Sequence, residues 1–232
     1  QGEIWTRCKN DNLFPAWVNI TAVRKDDLTI ANYIATYTDI TKRKAVEDEI
    51  KSLAFQDALT QLPNRRVLID RLKQAIAVSK RTKRYSALMF IDLDKFKPLN
   101  DKYGHEVGDL LLIEVANRLV SCVREVDTVA RFGGDEFIVM LSELNINKEE
   151  SILHAEIIAE KIRAILEEPY FLEIRDDGKV NATLEHYCTS SIGVSMFLGH
   201  EYNAEEVLKR ADMAMYMAKR EGGNTARFCE LD

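Results

Sequence analysis

Two acidic clusters in this chain lie where apolar segments end. Asp92-Leu93-Asp94 follows the apolar run 85–91, YSALMFI, and Asp135-Glu136 lies between the apolar stretches 129–132 and 137–141. Grouped carboxylates are hard oxygen ligands suited to Mg2+. The second pair is preceded by Gly133-Gly134, so 130–141, ARFGGDEFIVML, reads as a β-hairpin with Gly133, Gly134, Asp135 and Glu136 at its tip. Glycines there supply positive φ and leave the backbone open to close approach by another molecule. A hairpin needs only the glycines; the acids add chemistry. Alone, such a tip is most often a solvated turn, and its meaning depends on the elements around it.

Those elements can be read from period and punctuation. The run 85–91 has strand length, and carboxylates at the end of a buried strand stand where sheets present ligand sites. Upstream, 57–66, DALTQLPNRR, is a turn in which Pro63 marks a helix boundary, with Thr60 or Asn64 as the cap of a helix over about 66–81. Downstream, Val107, Leu110, Leu111, Val115, Leu119 and Val123 keep helical spacing over about 106–123. Strands at 128–132 and 137–141 complete a β–α–β–β order. A third long helix over about 148–166 carries Ile152, Ile157, Ile158, Ile162 and Ile165. Residues 170–174 and 187–197 read as strands about the polar turn 175–178, a helix covers about 204–220, and 225–229 adds an edge strand. The expected fold class is α/β (α+β), a central sheet flanked by helices.

Residues 1–40 have β character in three runs, Ile4-Trp5, 14–23 and 30–38. In the second, Trp17, Asn19 and Thr21 alternate with Val18, Ile20 and Ala22, the period of a sheet with two unlike faces. Over 41–56 the pattern turns helical, with Val46, Ile50 and Leu53 in one narrow apolar stripe among charged residues. Such a stripe suits a two-helix seam or packing on its own domain equally well. The domain boundary falls on this helix.

The 232 residues carry a formal charge of −6, with 46% hydrophobic and 30% charged residues, as in a soluble globular protein. The acidic balance disfavours nucleic acid as a partner, while a small anionic substrate stays compatible through a bound metal and a few local cations. No apolar run approaches the roughly 18–20 residues that span a bilayer, and the N-terminus lacks the features of a signal peptide. A cytoplasmic location is expected, with any membrane anchor lying outside these residues. Cys8, Cys122, Cys188 and Cys229 show no CxxC pair and no His at zinc spacing, so buried free thiols are expected.

Five stretches occurring in order give the chain a family resemblance: DALTQLPNRR at 57–66, DLDKFKPLNDKYGHEVGD at 92–109, RFGGDEF at 131–137, SIGVSMF at 191–197 and ADMAMYMAKREGGN at 211–224. Residues 57–232 resemble the GGDEF-domain diguanylate cyclases. Residues 1–40 resemble the C-terminal part of a PAS sensor domain, and 41–56 the signalling helix that links such a module to its output domain. The resemblance implies a central sheet like that of adenylyl cyclases and polymerase palms. It also implies condensation of two GTP to cyclic di-GMP by attack of a ribose 3′-hydroxyl on an α-phosphate, in a homodimer whose two hairpins face each other.

The resemblance carries roles residue by residue. Asp92 and Asp135 would hold two Mg2+ (or Mn2+) per active site, with the Leu93 carbonyl as a further ligand and Glu136 as ligand or base. Lys97 and Lys219 would meet the triphosphate, so that Asp135, Glu136 and Lys97 form the catalytic set. Asn100 and Asp109 would read guanine, whose N1–H and N2 amine both donate to an acid, and His105 would lie near the nucleotide. Arg124 and Asp127, in RxxD spacing, would form an inhibitory site for the product. One position departs from the family: Gly223 stands where an Arg is usual, with weaker GTP binding as the expected result and Arg220 one helical turn earlier as a substitute. The alternative reading is a GTP-binding regulatory module controlling a fused cyclic di-GMP phosphodiesterase domain. An adenylyl-type cyclase is disfavoured by Asn100 and Asp109.

Overall fold

The computed structural model describes residues 1–9, 11–26, 28–176, 179–199 and 201–229, apart from the side chains of 48–53 and 175–181. It divides into two compact units, 1–54 and 55–232. In the first, β1 (Gly2–Arg7), β2 (Leu13–Arg24) and β3 (Ile30–Asp39) form an antiparallel meander. The alternation expected in the second strand holds only in part: Val18 is buried, but Ile20 on the same face is exposed and Ala22 half-buried. Helix α1 (Thr41–Phe55) follows, and Asp39 accepts hydrogen bonds from the Thr41 amide (2.8 Å) and hydroxyl (2.6 Å) at its start. Of the expected apolar stripe, Val46 is exposed, while the Ile50 and Leu53 side chains lie outside the described residues.

The second unit opens with α2 (Arg65–Thr82), followed by β4 (Ser86–Leu93), α3 (Phe96–Tyr103), α4 (His105–Cys122), β5 (Thr128–Gly133) and β6 (Glu136–Leu141). Then come α5 (Lys148–Glu167), β7 (Tyr170–Asp176), β8 (Lys179–His186), β9 (Ser190–Phe197), α6 (Ala204–Arg220) and β10 (Thr225–Phe228). Asn64, not Thr60, caps α2: its side chain accepts from the Arg66 and Val67 amides at 3.1 Å each. Helix α3 was not anticipated. The strand expected over 187–197 is present as β9, but the partner of β7 in the later hairpin is β8, and the tip at 177–178 lies outside the described residues. In α5 the core side is made by Ser151, Ala155, Ala159, Ile162 and Leu166. Of its isoleucines, Ile162 is fully buried, while Ile157 is exposed.

The five-stranded sheet has the order β10-β9-β4-β6-β5, antiparallel throughout except for the β10–β9 pair. Alternate residues of its central strand feed two cores. Ala87, Met89, Ile91 and Leu93 pack with residues of α4 and α5, while Leu88 and Phe90 pack with those of α2 and α6. Continuing that alternation puts Asp92 on the α2/α6 side. Gly193 of β9 sets how close α6 comes, since a β-carbon there would overlap the Ala211 carbonyl and the Met215 backbone. The last turn of α6 thereby comes down onto the end of β4.

Candidate active site at the end of the central sheet

Strand β4 extends two residues beyond its apolar run, so Asp92 is inside the sheet. It pairs directly across from Glu136 on β6 and Ser191 on β9 and is 6% exposed. An ionised carboxylate at that depth is costly unless paired. The pairing comes from α6, where the Lys219 ammonium lies 2.6 Å from Asp92 Oδ1. Burial pushes the Asp92 carboxyl up, and Asp135 and Asp94 push the same way against Lys219. Glu136 is raised too, by burial first and then by Asp92, Asp135 and Asp212. One lysine therefore faces several crowded acids.

The hairpin tip closes the site. The Leu93 amide points at the Asp135 carbonyl oxygen, 3.4 Å away. Amide and carbonyl of one strand residue project to the same side, so the Leu93 carbonyl also faces the hairpin. Gly134 adopts φ +54°, the left-handed conformation that favours glycine. Asp92, Asp135, the Leu93 carbonyl and Glu136 thus supply hard oxygens and excess negative charge at one edge, which fits a divalent cation. Among the described residues no three His, Cys, Asp or Glu side chains are grouped as a complete metal cage. Mg2+ commonly takes one or two carboxylates and completes its shell with water and substrate phosphates.

Asn100 lies on α3 beside α4. Its Oδ1 is buried without a hydrogen-bond partner among the described residues, and it occupies space that a β-carbon on Gly108 would take. An orphaned buried acceptor has a desolvation cost of about 1–3 kcal/mol, which a ligand donor would recover. Lys97, His105 and Asp109 are exposed along the same α3–α4 segment. Lys219 sits on Asp92, not free in solvent.

The RxxD pair has unequal members. Both Asp127 oxygens are taken by backbone amides, Oδ2 by Arg124 and Oδ1 by Ser142, each at 3.1 Å, and its side chain is 2% exposed. Arg124 is more than half exposed and only 3.5 Å from it. Asp127 therefore holds the α4–β5 turn, and Arg124 is the member open to a ligand.

Sequence reasoning missed two residues that hold the tip. Arg131 donates through Nε and Nη2 to the Gly134 carbonyl at 3.0 and 2.7 Å, and through Nη1 to both oxygens of Asp57 at 3.0 and 3.2 Å. The stretches DALTQLPNRR and RFGGDEF each contained one partner, but nothing in them indicated the pairing. Gly223 also gains a structural reason. It has φ +78°, and a β-carbon there would lie 2.8 Å from Asp94 Oδ2. Gly223→Arg is accordingly expected to lower stability by about 1–3 kcal/mol without lowering the KM for GTP, as checked by thermal melts and steady-state kinetics.

Sheet order, flanking helices and this acidic edge define an α+β domain of cyclase palm-like architecture. The family model "Diguanylate cyclase, GGDEF domain" matches residues 54–225, and the chain belongs to that family. Among curated proteins, it is 42% identical over 182 residues to the bifunctional diguanylate cyclase/cyclic di-GMP phosphodiesterase MucR of Pseudomonas aeruginosa, covering 78% of this chain and 24% of MucR. It is 38% identical over 190 residues to diguanylate cyclase TpbB of the same species, covering 81% of this chain and 41% of TpbB. The chain thus spans less than half the length of these relatives. Among solved structures, the TpbB GGDEF domain superposes with a TM-score of 0.65 at 37% identity, over 75% of this chain and 99% of that one. The coiled coil and GGDEF domain of DgcB from Caulobacter crescentus, in complex with c-di-GMP, gives 0.69 at 25% identity, over 82% and 93%. No described helix is long and apolar enough to cross a membrane.

Proposed function

We propose that this chain is a diguanylate cyclase that condenses two GTP to cyclic di-GMP. The observation that carries the reading is the cross-strand pair of buried Asp92 and half-buried Glu136 beside the Asp135 tip, with Lys219 as its only paired cation among the described residues. Asp92, Asp135 and the Leu93 carbonyl hold two Mg2+ (or Mn2+), and Glu136 serves as ligand or base. Such ions would supply a lowered pKa for the attacking 3′-hydroxyl and would offset charge at the α-phosphorus. Asn100 and Asp109 orient guanine, His105 lies near the nucleotide, and Lys97 meets the phosphates as a mobile cation. Lys219, paired with Asp92, would be a second cation that meets the triphosphate. Because the product has two equivalent linkages, two copies face each other, and α1 as a two-fold seam sets whether their hairpins meet. Residues 1–40 act as the end of a PAS sensor module.

The test is incubation of the purified chain with GTP and Mg2+ and separation of the nucleotides. Cyclic di-GMP is expected; bound but unconverted GTP would leave the regulatory reading, in which the domain controls a fused phosphodiesterase. That second reading is favoured by similarity to the bifunctional MucR.

Product inhibition is assigned to Arg124, with Asp127 as its support. Arg124→Ala is expected to abolish inhibition by added cyclic di-GMP while changing stability by no more than about 0.5 kcal/mol, as for other exposed positions. Asp127→Ala takes the acceptor from two part-buried amides and is expected to cost about 1–3 kcal/mol. Inhibition curves and melts on the two variants separate the roles.

A further inference from the structure

We propose that Asp94 and Asn224 are positioning residues that hold the Leu93 carbonyl against the hairpin tip, which makes the turn after α6 part of the active site. The proposal rests on the metal-site reading above and goes beyond it, since neither residue is a ligand in that reading.

Asp94 lies two residues after Asp92, yet its carboxylate is fully engaged with protein. Oδ1 accepts from the Ser191 hydroxyl at 2.7 Å; Oδ2 accepts from the Thr189 hydroxyl at 2.7 Å and from the Asn224 amide at 2.9 Å. Its own amide donates to the Thr189 carbonyl at 2.9 Å. Hydrogen bonds to an ionised acceptor are about twice as strong as neutral ones, so this end of β4 is gripped from three directions. The consequence for the site lies in one peptide plane. The Asp94 amide and the Leu93 carbonyl belong to the same trans peptide and point in opposite directions. Fixing the amide on Thr189 therefore aims the carbonyl at the Asp135 side, and rotation of that plane would swing it away.

Asn224 is clamped from outside the site. It adopts φ +49°, a left-handed conformation that Asn tolerates better than most residues. Its Oδ1 accepts from Arg163 Nη1 at 2.9 Å, and its Nδ2 donates to Glu167 Oε1 at 2.9 Å. Arg163 is itself held by Glu160 and Glu167, each at 2.7 Å. The last turn of α5 thus anchors the amide that meets Asp94. Gly223 is an independent sign that this contact is tight, because its missing β-carbon is what lets the turn press on Asp94. A surface turn with no role in the site would need neither the two-sided clamp nor the close approach.

The test measures Mn2+ binding by electron paramagnetic resonance on the whole chain in the presence of a non-hydrolysable GTP analogue, together with steady-state kinetics and thermal melts. Asn224→Gly keeps the left-handed backbone and removes the clamp. It is expected to weaken Mn2+ binding and to lower kcat about tenfold each, the scale seen for residues that support metal ligands, with KM for GTP within about twofold. Arg163→Met should act in the same direction and more weakly. If Asn224→Gly fails to fold, Asp94→Asn, which keeps the shape of the carboxylate, takes its place with the same expectation. A lower melting temperature with unchanged Mn2+ affinity in the folded protein would overturn the proposal. Asp135→Ala separates this failure from that of the parent reading: if it retains full Mn2+ affinity, the metal site itself is misassigned and both fall.

Discussion

Asp135→Ala is expected to reduce cyclic di-GMP formation by at least about a thousandfold, the upper range for loss of one preorganised group at a reacting centre, while the fold survives. The asymmetry follows from where the side chain stands. Asp135 is half-buried at the hairpin tip, and what it gives the fold is its backbone, whose carbonyl faces the Leu93 amide. Alanine keeps that carbonyl. Its carboxylate, by contrast, adds charge to a group in which Asp92 and Glu136 are already raised, mainly by burial. Removing it relieves repulsion in the empty site, so stability should stay within about 0.5 kcal/mol of the parent or rise slightly. The same change takes away an oxygen that the ions need and a share of the negative field that draws them in. Turnover assays and a thermal melt on one preparation check both halves. Turnover near that of the parent, with an intact melt, would falsify the assignment of Asp135 to the metal site.

Much of this site was legible because the chemistry is written locally. The glycine pair and its flanking apolar runs announce a hairpin, and the positions of Asp92, Asp135 and Lys219 followed from the family resemblance. What stayed hidden was tertiary. The apolar run ends at Ile91 because a charged residue breaks it, whereas Asp92 remains in the ladder, its burial offset by a lysine from a helix more than a hundred residues later. Strand β8 was hidden although Val180, Ala182 and Leu184 alternate with polar residues, because it follows a polar turn that reads as a long loop. In helix α5 the isoleucines do not mark one face: Ile162 is fully buried beside Ala155 and Ala159, while Ile157 is exposed. The division of labour within RxxD was likewise invisible, since spacing shows that an Arg and an Asp can meet but not that backbone amides have already taken the acid.

Arg131→Ala is the second change expected to have a large effect, and it reaches the chemistry through position alone. The guanidinium joins the Gly134 carbonyl at the hairpin tip to Asp57, 74 positions earlier in the chain. Both side chains are largely buried, with 13% and 24% exposure. Breaking a fully buried pair costs about 3–5 kcal/mol; the partial exposure of Asp57 reduces this to about 2–4 kcal/mol. With the tip released, Asp135 and Glu136 lose their fixed relation to Asp92, and a displacement on the order of 1 Å can cost about a hundredfold in rate. Arg131→Lys should recover little, because one ammonium cannot serve the carbonyl and both carboxylate oxygens together. The pH dependence gives a signature of the pair. Burial would raise the Asp57 carboxyl, but donors from the Thr60 amide and hydroxyl and from Arg131 outweigh it and hold the group below its ordinary value. A depressed carboxylate contributes stability that is present above its unfolded pKa, about 3.9, and is lost as pH falls through its folded value. The stability difference between the parent and Arg131→Ala should therefore be constant from pH 7 to about 5 and narrow below about pH 4. Denaturant melts across that range check it, and a difference that did not change with pH would show that the arginine acts on the hairpin through Gly134 alone.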